Sequence, residues 1–183
     1  MQLQTIGCVE LNSVAVGIQV ADAMIKAASV DLVMAKTTCP GRYLIVISGD
    51  TSAVTSSVES GCAIGSLMVI DHFTIPRVHA SVAAALQGVP DAGDIAALGV
   101  IEVYTCAAGI LAADAAAKAA NVEVLDIRFA AGLAGKAFVI LSGDVSSVQA
   151  AVEAGVAGVG ESGPVLSHVV IPAPSKELFK YII

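Results

Sequence analysis

The sequence contains no tryptophan, and its aromatic residues together make up 4% of 183 positions. Such scarcity suits small, closely packed elements and extended subunit contacts better than a pocket walled by rings. Basic residues are also few. Nine Lys and Arg stand against 16 Asp and Glu, for a net charge of −7 and a pI near 4.7. A nucleic-acid surface needs clustered cations, so nucleic acid is excluded as a partner. No basic run, signal peptide or transit peptide is seen at the N-terminus. The mean hydropathy of +0.84 comes largely from Ala and Val and not from a membrane span. The longest stretch without charge, 162–175, is interrupted by prolines, whereas a bilayer helix needs about 20 apolar residues. A soluble protein away from the membrane is expected. The four cysteines, at 8, 39, 62 and 106, form no Cys-x-x-Cys pair. Reduced thiols and a cytoplasmic compartment are the corresponding expectation.

What the chain does contain is one unit written twice. Residues 6–30 (IGCVELNSVAVGIQVADAMIKAASV) align without a gap with 98–122 (LGVIEVYTCAAGILAADAAAKAANV), and 12 of the 25 pairs are identical. The match resumes at Ser48-Gly49-Asp50 with Ser142-Gly143-Asp144, then at Ile75-Pro76 with Ile171-Pro172. The spacing grows from 92 to 94 to 96, so copy two holds two small insertions, one of them in the loop equivalent to 36–42.

Each copy predicts the order βαββαβα. Strands are expected over 5–11 and 98–103, followed by alanine-rich helices over 16–28 and 108–120. Asp22/Lys26 and Asp114/Lys118 at i,i+4 mark exposed helix faces. Second strands fall at 30–36 and 122–128, third strands at 43–48 and 136–142. Asp50 and Asp144 are placed as N-caps of second helices, on which Val54/Val58 and Val148/Val152 form an apolar stripe. Fourth strands at 67–75 and 165–171 end at Pro76 and Pro172, and short helices follow over 78–86 and from 175 onward. This order gives an antiparallel sheet with helices packed on it, an α+β sandwich. Two tandem domains are expected, 1–87 and 98–183, joined by a linker at 88–97.

Between the second and third strands of copy one lies Lys36-Thr37-Thr38-Cys39-Pro40-Gly41-Arg42. Pro40 and Gly41 interrupt any ladder there, which leaves Cys39 as a single thiol on a basic-flanked tip. Taken alone, such a cysteine reads more readily as a small loop residue than as a ligand. Cys8, Cys62 and Cys106 stand opposite Val100, Val156 and Val14 in the other copy, and exchange with valine marks packing positions. His72 and His168 are equivalent, and Asp71 faces the other side of the strand from His72, so these read as structural. Gly132-Leu133-Ala134-Gly135-Lys136 is no phosphate loop, because Ala130 and Ala137 replace the first Gly and the Ser/Thr. An anion at Asp50 or Asp144 would meet a capping carboxylate. With no nucleophile–base pair or metal-spaced set in one chain, an enzyme is not expected.

Several features resemble the bacterial microcompartment shell domain over nearly the whole chain. They are Gly7-x-x-Glu10, Ala21-Asp22-Ala23-Met24-Ile25-Lys26-Ala27-Ala28, Ser48-Gly49-Asp50, and Ile75-Pro76-Arg77 before His79, most of them repeated in copy two. Two copies in the non-permuted order resemble the tandem-domain shell proteins. Within these, Lys36-Thr37-x-Cys39-Pro40-Gly41 is similar to the iron–sulfur members of propanediol-utilisation compartments. The resemblance implies two ferredoxin-like-related domains and a homotrimeric, pseudohexameric shell tile. It implies an iron–sulfur cluster of the 4Fe–4S type at the central pore, held by Cys39 of three chains, for electron or cluster transfer across the shell. Lys36, Thr37, Thr38, Pro40 and Gly41 would form the pore loop of domain one, and Ala131, Gly132 and Leu133 that of domain two. Lys26, Lys118 and Arg77 would lie at tile edges, with Ala173 replacing the arginine in copy two. Other shell proteins and an encapsulated redox enzyme are the implied partners, and the microcompartment shell the implied location. The chemistry agrees in one respect: clusters usually need four thiolates, and three-fold symmetry would multiply a single one. Two alternatives stay open, a metabolite-transport tile with an open pore and no cluster, and an enzyme or sensor on the same sandwich.

Overall fold

The computed structural model describes residues 4–88, 95–129, 132–160 and 165–182. Positions 89–94 of the expected linker, Ala131 of the second pore loop and Ile183 lie outside the described residues. Copy one comprises β1 (Thr5–Leu11), α1 (Val14–Ala27), β2 (Val30–Thr38), β3 (Arg42–Gly49), α2 (Thr51–Gly65), β4 (Val69–Pro76) and α3 (Ala80–Leu86). Copy two repeats them as β5 (Ala97–Val103), α4 (Cys106–Ala119), β6 (Glu123–Phe129), β7 (Ala137–Gly143), α5 (Val145–Val159), β8 (Val165–Pro172) and α6 (Lys176–Ile182). The two sheets share one strand order, β2-β3-β1-β4 and β6-β7-β5-β8. Their antiparallel registers coincide: Glu10 faces Leu44 and Asp71, and Glu102 faces Phe138 and Ser167. The expected α+β architecture is therefore present twice.

The chain forms two compact units whose boundaries are not those of the repeat. The first is Met1–Val78 with Thr105–Ala107 and Phe129–Lys136; the second is His79–Tyr104, Ala108–Arg128 and Ala137–Ile183. In the first, α1 and α2 cover one sheet face. Val20, Ala21 and Met24 of α1, and Val54 and Val58 of α2, meet Val9, Leu11, Ile45 and Ile47. Each fully buried aliphatic side chain contributes about 1.5–3 kcal/mol. In the second unit, Leu98, Leu125 and Ile140 form a buried cluster on which Ile95, Phe138 and Ile171 pack. Both glycines of the Gly-x-x-Glu motif exist for closeness. A Cβ on Gly7 would stand 2.6 Å from Val58 and 2.7 Å from Val54, and one on Gly99 2.7 Å from Val152 and 2.9 Å from Val148. The apolar helix stripe thus rests directly on backbone at the centre of each sheet.

Several expectations need correction. The segment 36–42 is not a loop of seven residues: β2 runs to Thr38, which pairs with Arg42, so only Cys39, Pro40 and Gly41 form the tip. Residues 66–68 make a 3₁₀ turn ahead of β4 instead of its first residues. Ser13 caps α1, its hydroxyl accepting from Val16 N–H, and the helix begins two residues early. Asp50 precedes α2 but makes no side-chain cap, whereas the Asp144 carboxylate accepts from Ser147 N–H at 2.9 Å. Hydrogen bonds from Ser146 and Ser147 pull the Asp144 carboxyl well below the usual carboxylate range. Asp114 does not lie on an exposed face. It is buried, and α4 carries Ala107, Ala108, Ile110, Ala112, Ala113, Ala116 and Ala117, all buried. The alanines of α4 are contact residues, since a Cβ on Gly158 of α5 would stand 2.3 Å from that of Ala115.

Adding a methyl at Gly7 should cost about 1–3 kcal/mol by overpacking. We expect Gly7→Ala to lower the thermal midpoint and Gly7→Ala/Val58→Ala to recover part of the loss. Additive losses in the double variant would show that the Gly7–helix contact is not the cause.

Candidate functional site

The hairpin of β2 and β3 presents the site. Its ladder holds through the Thr38–Arg42 pair, and Gly41 N–H closes the turn onto the Thr38 carbonyl at 3.0 Å. Gly41 sits at φ +90° with nothing near its would-be Cβ, so it serves the turn and not packing. The Cys39–Pro40 peptide is cis. Cys39 is exposed at the tip, as are Pro40 and Gly41. Lys36 and Thr37 are exposed on the strand, while Thr38 is buried. Lys36, Thr37, Thr38, Cys39 and Gly41 line one cleft of about 610 Å³ with Val14 and Phe129. The Lys36 ammonium lies 4.8 Å from the centre of the Phe129 ring, within cation–π range.

Beneath the hairpin is a buried ionic junction that sequence reasoning passed over. The Glu10 carboxylate, fully buried, accepts from Arg42 Nη1 at 3.1 Å and from Ala107 N–H at 3.0 Å, near the start of α4. Arg42 Nη1 also donates to the Gly135 carbonyl at 3.2 Å. Gly135 lies at φ +92°, and a Cβ there would come within 2.7 Å of the guanidinium. Beside this, Thr105 Oγ1 donates to Asp71 Oδ2 at 2.7 Å. The signal was available: Glu10 and Glu102 recur at the same place in both copies, yet a buried acid without a neighbour in sequence discloses no partner. His72 points away from Asp71 and is exposed, as strand alternation required.

The other thiols differ from Cys39. Burial, reinforced by the Glu10 charge, pushes the Cys106 thiol up to about 12 and that of Cys8 well above its ordinary value. Cys62 is raised by burial as well. These three are protonated at neutral pH and poor nucleophiles or ligands. Among the described residues no three His, Cys, Asp or Glu side chains converge to hold a metal ion. Of the other singled-out residues, Gly132 is exposed at φ +76° and Leu133 is half-buried, its carbonyl accepting from Lys136 N–H. Lys26 pairs with Asp22 on the surface, and Lys118, also exposed, pairs with the buried Asp114. Arg77 is exposed at φ +50°, and its counterpart Ala173 keeps the same backbone at φ +47°.

Burial raises the Glu10 carboxyl above its ordinary 4.5, while the Ala107 amide and Arg42 oppose the rise. The folded state therefore holds this proton more tightly than the unfolded chain does. The associated stability is fully present below 4.5 and is lost as pH rises through the raised folded value. Asp71, raised from 3.8 by burial, acts in the same direction. Chemical unfolding from about pH 4 to about pH 8 should show wild type losing stability relative to Glu10→Gln, about 1.4 kcal/mol for each tenfold weakening of the acid. A difference that does not vary with pH would show Glu10 to titrate alike in both states.

No helix among the described residues is long and apolar enough to cross a membrane. The sequence matches the BMC domain over residues 5–78 and again over 97–174. It is 37% identical over 180 residues to the bacterial microcompartment shell protein PduT of Citrobacter freundii, covering 98% of each chain. It is 38% identical over 86 residues to the shell protein PduA of the same organism, which spans 45% of this chain and 90% of that one. A crystal structure of a microcompartment protein from Desulfitobacterium hafniense superposes with a TM-score of 0.87 at 46% identity, covering 97% of this chain and 99% of that one. A fused permuted hexameric shell protein, MSM0275, shares the fold at a TM-score of 0.65 and 20% identity, with 86% of this chain and 85% of that one covered. The chain belongs to the BMC-domain family of bacterial microcompartment shell proteins and carries that domain twice in tandem.

Proposed function

We propose that the chain builds a homotrimeric, pseudohexameric shell tile and that Cys39 of each copy holds an iron–sulfur cluster at the central pore. Its two halves would be 1–87 and 98–183. The observation that carries the cluster is the contrast among the thiols: Cys39 is exposed on a ladder-held tip, while Cys8 and Cys106 are buried and protonated. One thiol cannot hold a cluster alone. Three symmetry-related thiolates suit a 4Fe–4S cluster whose fourth iron takes a non-protein ligand. Such a cluster supplies one-electron chemistry, and transfer of electrons or of the cluster itself across the shell would be its use. An encapsulated redox enzyme and other shell proteins would be the partners. Lys36, Thr37, Thr38, Pro40 and Gly41, with Ala131, Gly132 and Leu133, would surround the pore.

The cleft beside the tip favours a second reading, in which small metabolites pass an open pore and Cys39 binds nothing. Iron and acid-labile sulfide in anaerobically purified protein separate the two. We expect visible absorbance and iron to disappear together in Cys39→Ser, with the oligomer unchanged because the exposed tip buries little apolar surface. Cys8→Ser and Cys106→Ser should keep iron at a cost of about 1–3 kcal/mol for a buried hydroxyl. Full iron in Cys39→Ser would remove the ligand assignment, and wild type that never holds iron would leave the transport tile.

Lys26, Lys118 and Arg77 are proposed as contacts between tiles. Lys26→Asp with Lys118→Asp should leave the oligomer intact, since both ammonium groups are exposed and surface changes cost about 0.5 kcal/mol or less. Electron microscopy should then show loss of extended sheets; unaltered sheets would refute an edge role.

A further inference from the structure

Lys36 and Arg128 hold the same place in the two copies, each a cation near the end of a second strand. Their surroundings differ. Arg128 Nε donates to Asp126 Oδ2 at 2.6 Å, a carboxylate two residues back on β6. The repeat puts Met34 at the place of that aspartate, so copy one has the cation without the acid. Among the described residues no carboxylate lies within ion-pair distance of the Lys36 ammonium. What it meets instead is the Phe129 ring, whose centre is 4.8 Å away. A ring face holds an ammonium without cancelling its charge, and an ammonium has three N–H donors to offer. A chain with a net charge of −7 thus exposes an uncompensated cation at this point.

That cation borders the cleft of about 610 Å³ beside the hairpin tip, a volume within the range of small-molecule sites. Among the described residues no acid lines it. Val14 and the Phe129 ring give it an apolar wall, and Thr37, exposed on the strand, adds a hydroxyl. Charge, hydroxyl and apolar wall therefore border one space, all within the first unit.

We infer that this cleft binds a short-chain carboxylate, with its charged end on the Lys36 ammonium and the Thr37 hydroxyl and its apolar body against Phe129 and Val14. The class of ligand follows from the lining. A doubly charged phosphate is held by several cations, by the fork of an arginine or by a nest of backbone amides. Here Gly41 N–H is given to the Thr38 carbonyl, and Arg42 is turned to the buried Glu10. A single negative charge matches a single ammonium, and an amine would be repelled by it. The site is built from the cation and the wall and needs no iron, so it goes beyond the cluster proposed above.

Butyrate is the probe and butyramide its uncharged counterpart, each titrated into the full chain as purified, with saturation transfer from protein to ligand read by NMR. Butyrate should bind about tenfold more tightly than butyramide, because only the carboxylate makes charge-assisted hydrogen bonds. Lys36→Gln should remove that preference and leave butyramide binding unchanged, whereas Lys36→Arg should keep butyrate within about twofold of wild type. Met34→Asp gives copy one the acid of copy two, and should reproduce Lys36→Gln with the lysine still in place. Butyrate that binds no better than butyramide, or that binds Lys36→Gln as tightly as wild type, would overturn the inference. If Met34→Asp fails to fold by circular dichroism, salt replaces it: between about 0.05 M and about 0.5 M the preference of wild type should shrink by screening. A preference unmoved by salt would exclude an exposed cation as its source and overturn the inference as well. The iron content of the same samples tests the cluster separately.

Discussion

The Glu10 carboxylate is a buried charge, and the rest of the first unit is arranged around satisfying it. A lone ionised carboxylate in an apolar interior costs many kcal/mol, so it must be paired and hydrogen-bonded. Arg42 supplies the charge and the Ala107 amide supplies a directed donor near a helix start, where the dipole favours an anion. Because Arg42 opens β3, that requirement also fixes the base of the hairpin carrying Cys39. Because Arg42 reaches the Gly135 carbonyl as well, segment 129–136 is held in the same unit. One acid thereby couples a strand register, a helix start and the foot of the proposed ligand tip.

Much of this was legible in the sequence, and the reasons are physical. The repeat fixed nothing by itself, but two aligned copies of alternating apolar strands and i,i+4 stripes leave few ways to build a sheet with helices on one face. Val54/Val58 and Val148/Val152 were readable because a stripe of period 3.6 has one meaning. Ser13 as a cap and the reach of β2 to Thr38 were less so, since helix and strand ends depend on hydrogen bonds that periodicity does not encode. Asp114 was misjudged for a different reason. An Asp–Lys pair at i,i+4 looks the same on an exposed helix as on one whose aspartate receives a distant N–H, here that of His79.

The junction was the least legible part. Glu10, Arg42, Ala107 and Gly135 are scattered over more than a hundred positions, and one of the partners is a backbone amide, which has no residue signature. Phe129 was also missed, because no spacing rule links it to Lys36. Cys39, by contrast, was visible from its surroundings: cysteines that alternate with valine between copies are packing residues, and Cys39 alone lacks such a partner. The structure separates the thiols along the same line, with Cys8 and Cys106 fully buried and Cys39 exposed.

The divergence between the two copies at their loops bears on symmetry. Copy two has no cysteine beyond Cys106, and its Gly135, the counterpart of Gly41, lies where Arg42 approaches without a Cβ in the way. A loop copied faithfully from 36–42 would put a second thiol per chain at the tip. With Cys39 confined to copy one, the proposed ring of three chains would present three exposed thiols. Six equivalent thiolates exceed what one cluster can use, whereas three leave a coordination position open.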